Sequence, residues 1–295
     1  MSKQVFTKGG NMLQIGVFKL DDIAKHASIV MIAKRGSGKS WVCRALLNHF
    51  SDIPVGIIIA PTDRMNGFYE TFFPDTYIYY DFESSLIASI LDRQEKIIDK
   101  NKTKNRLKKR IDTRAYIIMD DCLSRKKSWG KDEKILELLF NGRHYKLMYI
   151  LTMQFPLGIS PELRTQFDYI FLLADDFYSN IKRIYEHYAG MFPTFDSFRQ
   201  IFKQLTADYG SMVIVNTSRG IKKDANDEAG FLNKVFWYKA GESKSKTLGC
   251  AQFNKFHNKN YDKNWRRKAK IINVEDFCLL KKREKGSIKI EKIED

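Results

Sequence analysis

Eight consecutive residues, Ala33-Lys34-Arg35-Gly36-Ser37-Gly38-Lys39-Ser40, have the composition of a loop that holds phosphate. Gly36 and Gly38 let the backbone turn so that successive N–H groups converge on one concavity, with a helix N-terminus behind them. Lys39 is placed to neutralise the β- and γ-phosphates of a nucleoside triphosphate, and the Ser40 hydroxyl to reach Mg²⁺. Ala33 stands where glycine is more usual, which is tolerable at negative φ. Ala33 through Trp41 are thus the candidate nucleotide-binding residues, with ATP and Mg²⁺ the implied ligand and cofactor. A glycine-rich turn that binds nothing is the alternative, and the residues downstream argue against it.

Those residues are Asp120 and Asp121, which end the apolar run Ala115-Tyr116-Ile117-Ile118-Met119. Carboxylates at the C-terminal edge of a core strand lie where open α/β sheets bind ligands. Asp120 would hold the Mg²⁺, and Asp121 would orient or deprotonate an attacking water. Gln154, after Leu147–Met153, is either a sensor of the γ-phosphate or a strand-end amide bonded to a loop. Arg143 and Arg164 each precede a predicted strand. Either fits an arginine finger, and a surface salt bridge is the alternative for each.

The elements needed to position these groups are legible as short apolar runs. Ile29–Lys34, Val55–Ala60, Tyr77–Tyr80, Ala115–Met119, Leu147–Met153 and Tyr169–Leu173 read as strands, hydrophobic without alternation and hence buried on both faces. Trp41–Phe50, Ser84–Lys100 and Lys131–Phe140 read as helices between them. Alternating strands and helices predict an α/β fold with a mainly parallel central sheet flanked by helices. Val213–Val215 and Val235–Tyr238 read as late strands, with an antiparallel sense as one option.

The chain has 295 residues, of which 43% are hydrophobic, enough to bury a sizeable core. No apolar run approaches the roughly 20 residues of a membrane-spanning helix, and with no apolar region behind the first lysines a secretory signal is not expected. Cys43, Cys122, Cys250 and Cys278 form no CxxC, so reduced thiols are expected rather than disulfides or zinc. A net charge of +16, from 51 Lys and Arg against 35 Asp and Glu, points to a polyanionic partner, nucleic acid before membrane. Two stretches concentrate the charge: Lys96–Arg110, and the tail after Gly241, where aromatics such as Phe253, Phe256, Tyr261 and Trp265 are interleaved with lysines. Solvated charge is the alternative reading of both.

The order of parts resembles the DNA-packaging ATPases of poxviruses and other nucleocytoplasmic large DNA viruses, a branch of the FtsK–HerA translocases. The resemblance rests on the phosphate loop, Ala60-Pro61-Thr62, IIMDDCL at Ile117–Leu123, NGRHY at Asn141–Tyr145, LTMQ at Leu151–Gln154, ELRTQFDYIFLL at Glu162–Leu173 and FWYKA at Phe236–Ala240. It implies a RecA-like P-loop NTPase core assembled as a pentameric or hexameric ring around double-stranded DNA, working at a capsid or portal vertex in the host cell cytoplasm, with no membrane. It favours Arg143 over Arg164 as a finger acting in trans and matches Gln154 to the sensor. Asp121 departs from the glutamate usual in cellular members. On this division residues 1–27 form an N-terminal segment, 28–240 the ATPase core and 241–295 a basic C-terminal extension. A helicase or conjugation-type motor shares every one of these site residues. A small-molecule kinase shares only the phosphate loop, and a nucleotide-gated DNA-binding scaffold would hydrolyse little. A membrane-associated basic protein lacks an evident amphipathic anchor.

Overall fold

The computed structural model describes residues 2–7, 10, 12–103, 110–122, 131–217, 233–242 and 246–262. Its strands are β1 (Ser2–Phe6), β2 (Met12–Val17), β3 (Ser28–Ile32), β4 (Val55–Ile59), β5 (Ile78–Tyr79), β6 (Ala115–Asp120), β7 (Leu147–Met153), β8 (Tyr169–Leu172), β9 (Gly210–Val215) and β10 (Val235–Lys239). The helices are α1 (Lys39–His49), the single turn α2 (Asp63–Asn66), α3 (Ser84–Thr103), α4 (Glu133–Asn141), the turn α5 (Pro161–Arg164), α6 (Tyr178–Tyr188), α7 (Phe195–Leu205) and α8 (Ala251–Asn260). Of the predicted basic stretches, residues 104–109 and everything after Asp262, Trp265 included, lie outside the described residues, as does Leu123.

All ten strands form one sheet in the order β1-β2-β10-β9-β8-β3-β7-β6-β4-β5. From β8 to β5 every pairing is parallel, as continuous apolar runs require when helices cover both faces. Every residue of β3, β6 and β7 is buried. Alternate residues feed two separate cores. Val30, Ile117, Leu151 and Leu172 pack beneath α3, α4, α6 and α7. Ile29, Ile118, Ile150 and Phe171 pack beneath α1 and α8. Of the late strands, β9 runs antiparallel to β8, and β10 runs antiparallel to β9.

Two parts of the sheet assembly were not foreseen. The N-terminal residues form the hairpin β1–β2, whose second strand pairs in parallel with β10. Only Val5 and Ile15 of that hairpin are fully buried, so its apolar signal is too thin to mark a strand. The start of the lysine-rich tail is also ordered against the core. Leu248 is fully buried, its N–H donating to the Phe72 carbonyl at 3.0 Å, and the Cys250 N–H donates to Pro54 at 2.8 Å. Phe253 of α8 stacks on Tyr77 with ring centroids 3.9 Å apart and tilts against Phe73.

Because Phe253 is the buried anchor of α8, Phe253→Ala should lower the unfolding free energy by about 3 kcal/mol, the usual effect of deleting a buried phenyl ring. Urea unfolding of the two proteins checks this; an unchanged midpoint would mean that α8 contributes nothing to the core.

Candidate active site

The parallel strands converge on one cleft at their C-terminal edge. The loop leaving β3 turns at Gly36 (φ 80°) and Gly38 (φ 96°), left-handed positions that favour glycine. Ala33 keeps a negative φ, as its position requires, and its N–H donates to Met153 at 2.9 Å. The Ser37 hydroxyl donates to the Lys34 carbonyl at 2.6 Å and closes the turn. Lys34 itself points aside, paired with Asp176 at 2.9 Å and lying over the Phe177 ring. Arg35, Ser40 and Trp41 are exposed along a cleft of about 760 Å³.

Lys39 opens α1 and reaches across the cleft to the end of β6. Its ammonium donates to Asp120 at 2.8 Å and also to Asp121, and all three side chains are only 12–15% exposed. Burial opposes the lysine charge, but the adjoining Asp120 and Asp121 outweigh it and raise the Lys39 pKa. Gln154 donates to Asp121 at 3.0 Å, so the strand-end glutamine, the lysine and the acid pair form one cluster. Asp121 sits at φ 53°, a left-handed turn that Asp tolerates better than most residues and that bends its carboxylate back over the strand edge.

Thr152 completes the cluster, and sequence reasoning missed it. Its hydroxyl donates to Asp120, accepts from the Asp121 N–H at 3.2 Å and lies 3.4 Å from the Lys39 ammonium. A lone threonine in an otherwise apolar strand gave no distinct signal; its full burial, with a hydroxyl that must find partners, is seen only in the structure. Asp63, on the single turn after β4, was missed as well. It is 3% exposed, accepts the Phe68 and Tyr69 N–H groups on one oxygen and leaves the other without a hydrogen bond. Burial, partly offset by those two amides, holds its pKa above the ordinary carboxylate value.

The residues present fit a magnesium ion. That ion prefers oxygen donors and binds through one or two carboxylates together with substrate phosphates. Ser40 and Asp120 offer such oxygens, and a buried Asp121 oxygen has no hydrogen-bond partner. Among the described residues no three His, Cys, Asp or Glu side chains form a ready metal cage.

The two arginines lie elsewhere. Arg143 precedes β7 at the opposite edge of the sheet, separated from Gln154 by seven strand residues, about 23 Å of extended chain. It is 63% exposed, and among the described residues its guanidinium pairs with Asp168 at 3.2 Å. Arg164 is instead drawn inward, donating to the Ile159 carbonyl at 2.9 Å, meeting His187 at 3.0 Å and lying over the Tyr188 ring.

In this sheet β3 and β6 are not neighbours; β7 is inserted between them and brings Thr152 and Gln154 into the gap. A phosphate-loop strand separated from the acidic strand by a polar-tipped third strand is the architecture of RecA-like P-loop NTPases, and the chain has that fold. It belongs to a family of proteins from nucleocytoplasmic large DNA viruses, as two relatives show. Protein L437 of Acanthamoeba polyphaga mimivirus is 44% identical over 282 residues, 95% of this chain and 96% of that one. Protein 075L of Invertebrate iridescent virus 6 is 32% identical over 246 residues, 81% and 89% of the two chains. No family model matches the chain. Among solved structures, the genome packaging NTPase B204 from Sulfolobus turreted icosahedral virus 2 aligns with a TM-score of 0.49 at 14% identity, over 75% of this chain and 100% of that one.

Thr152→Val keeps the shape of the side chain but leaves the Asp121 N–H without its acceptor and Asp120 with one donor fewer, the Lys39 ammonium remaining. The expected outcome is a loss of about 1–2 kcal/mol in stability, measured by denaturant unfolding. A neutral result would show that water replaces the hydroxyl.

Proposed function

We propose that this protein is an ATP-driven translocase of double-stranded DNA that packages a viral genome into a capsid, acting as a homo-oligomeric ring at the capsid or portal vertex in the host cytoplasm. The observation that carries this reading is the hydrogen-bonded cluster of Lys39, Asp120, Asp121 and Gln154 at the phosphate loop, with an exposed Arg143 at the opposite edge of the same sheet. The cluster is chemistry for a phosphoryl group; the distant arginine is chemistry for a neighbour's phosphoryl group. The excess of 51 basic over 35 acidic residues suits a phosphate backbone gripped without regard to sequence. Among the described residues no helix is long and apolar enough to cross a membrane.

The residues act as follows on this reading. In the structure the Lys39 ammonium rests on the two carboxylates. When ATP enters, Lys39 exchanges those carboxylates for the β- and γ-phosphates while the Gly36–Ser40 amides take the remaining oxygens. Ser40 and Asp120 would hold Mg²⁺, which would supply positive charge against the phosphates. Asp121, released from Lys39 but still held by Gln154, orients the attacking water and accepts its proton. Gln154 thereby links the state of the γ-phosphate to β7. Arg143 of a neighbouring copy leaves Asp168 and stabilises charge on the transferring group. Loss of the γ-phosphate then loosens the interface that it held together, and the bound DNA advances.

Steady-state ATP hydrolysis with and without long duplex DNA tests the proposal. DNA should stimulate the rate, and Lys39→Ala should abolish it. Arg143→Ala should lower it at least a hundredfold, and mixing the two inactive variants should restore part of it, because each supplies what the other lacks. Hydrolysis that proceeds at the same rate without DNA would overturn the motor reading and leave a kinase or switch. Failure of the mixture to recover would remove Arg143 from the neighbour's site.

A further inference from the structure

We infer that Tyr209 is the platform on which the nucleotide base stacks, an inference that rests on the nucleotide reading above and adds to it the base-binding side of the cleft. The terminal-phosphate end of the site is fixed by Asp120 and Gln154, at the ends of β6 and β7, toward which Lys39 of α1 reaches across the cleft. A triphosphate running across the loop from that end must present its ribose and base on the other side, toward β8 and β9. Tyr209 stands there. It immediately precedes β9, whose Met212 pairs with Leu172 near the C-terminal end of β8, and it lines the same cleft as Lys39 and Ser40. Its ring leans against the phosphate loop: a side-chain carbon added at Gly38 would lie 3.3 Å from it.

Three features separate this tyrosine from an ordinary surface residue. It is 67% exposed, so most of a large aromatic ring is left uncovered at the mouth of the cleft. Its backbone is left-handed at φ 60°, directly after Asp208 at φ 52°, two consecutive non-glycine residues in a sparsely populated region. Such strain persists only where the surroundings enforce it and gathers at ligand clamps. The surroundings here do enforce it. Gly210 is packed so that an added side-chain carbon would fall 2.3 Å from the Leu205 carbonyl, and the fully buried Ser211 donates to the Tyr238 carbonyl at 3.0 Å. The ring is therefore presented by a backbone that cannot relax away. A flat aromatic face held in the open binds the π-face of a purine and ignores its hydrogen-bonding edge, so Tyr209 should hold adenine and guanine nucleotides alike.

Isothermal titration of the full chain with ATP, GTP and inorganic tripolyphosphate, each with Mg²⁺, tests this. Tyr209→Ala should weaken ATP and GTP by about tenfold and leave tripolyphosphate unchanged, while Tyr209→Phe should bind all three like the unaltered protein. Tyr209→Gly, which removes the ring but suits the left-handed backbone, should match the alanine variant and guards against a folding defect, with thermal unfolding recorded for each. Equal ATP affinity with and without the ring, or equal weakening of ATP and tripolyphosphate, would overturn the stacking role while leaving the nucleotide site intact. If the unaltered protein bound neither ATP nor tripolyphosphate, the nucleotide reading itself would fall, and the stacking role with it.

Discussion

An ammonium group removed from water is unfavourable by several kcal/mol unless opposite charge is held against it, and the architecture of this chain answers that constraint at Lys39. The lysine is 15% exposed and faces two carboxylates that are themselves nearly buried. Neither acid could be kept there without further support. Asp120 is backed by the Thr152 hydroxyl, and Asp121 by Gln154 and by its own N–H on Thr152. Those partners come from β7, which is why β7 must lie between β3 and β6 rather than at an edge. The sheet order, the full burial of three consecutive strands and the left-handed turn at Asp121 all serve one polar cluster embedded in an apolar slab. One formal positive charge stands against two negative ones in that cluster, and one Asp121 oxygen has no hydrogen-bond partner.

Much of this was legible in the residues, and what was not has a physical reason. The central strands announce themselves because burial on both faces demands an unbroken apolar run, and β3, β4, β6, β7 and β8 fall within a residue or two of where those runs lie. The phosphate loop and Asp120–Asp121 could be paired from sequence because each sits at the end of such a run. Thr152 hides within one: in Leu151-Thr152-Met153 a threonine passes for a β-branched core residue until its hydroxyl partners are seen. The edge strands β1 and β2 bury too few side chains to show a period, and α8 is masked by its lysines, with Phe253 its only buried residue. In α7 the residues Phe198, Ile201, Phe202 and Leu205 recur at helical spacing and are the ones the helix buries. Tyr209 has no sequence signature, because its meaning lies in a backbone angle and in its nearness to a glycine more than 170 residues earlier.

Position alone left Arg143 and Arg164 equivalent, both basic residues ahead of a strand, and the resemblance favoured Arg143. Their surroundings separate them. Arg164 spends its donors on Ile159 and His187 and covers Tyr188, the behaviour of a residue that fastens a loop. Arg143 keeps most of its surface in solvent and is tethered at 3.2 Å to Asp168, whose other oxygen is already committed to Ser28. A single long contact at a mostly exposed guanidinium is readily exchanged for a better anion.

The placement of Arg143 and Gln154 at opposite ends of β7 bears on symmetry if Arg143 acts in a neighbour's site as proposed. A twofold pair could exchange the two groups reciprocally, but it would complete two sites and go no further. A head-to-tail contact, in which the amino edge of one copy meets the carboxyl-edge cleft of the next, extends beyond two copies. Such a contact always leaves one donor edge and one acceptor edge unsatisfied at the ends of a row. The row can be completed only by closing on itself, and the angle between successive sheets, rather than any residue in the cleft, then sets how many copies close it.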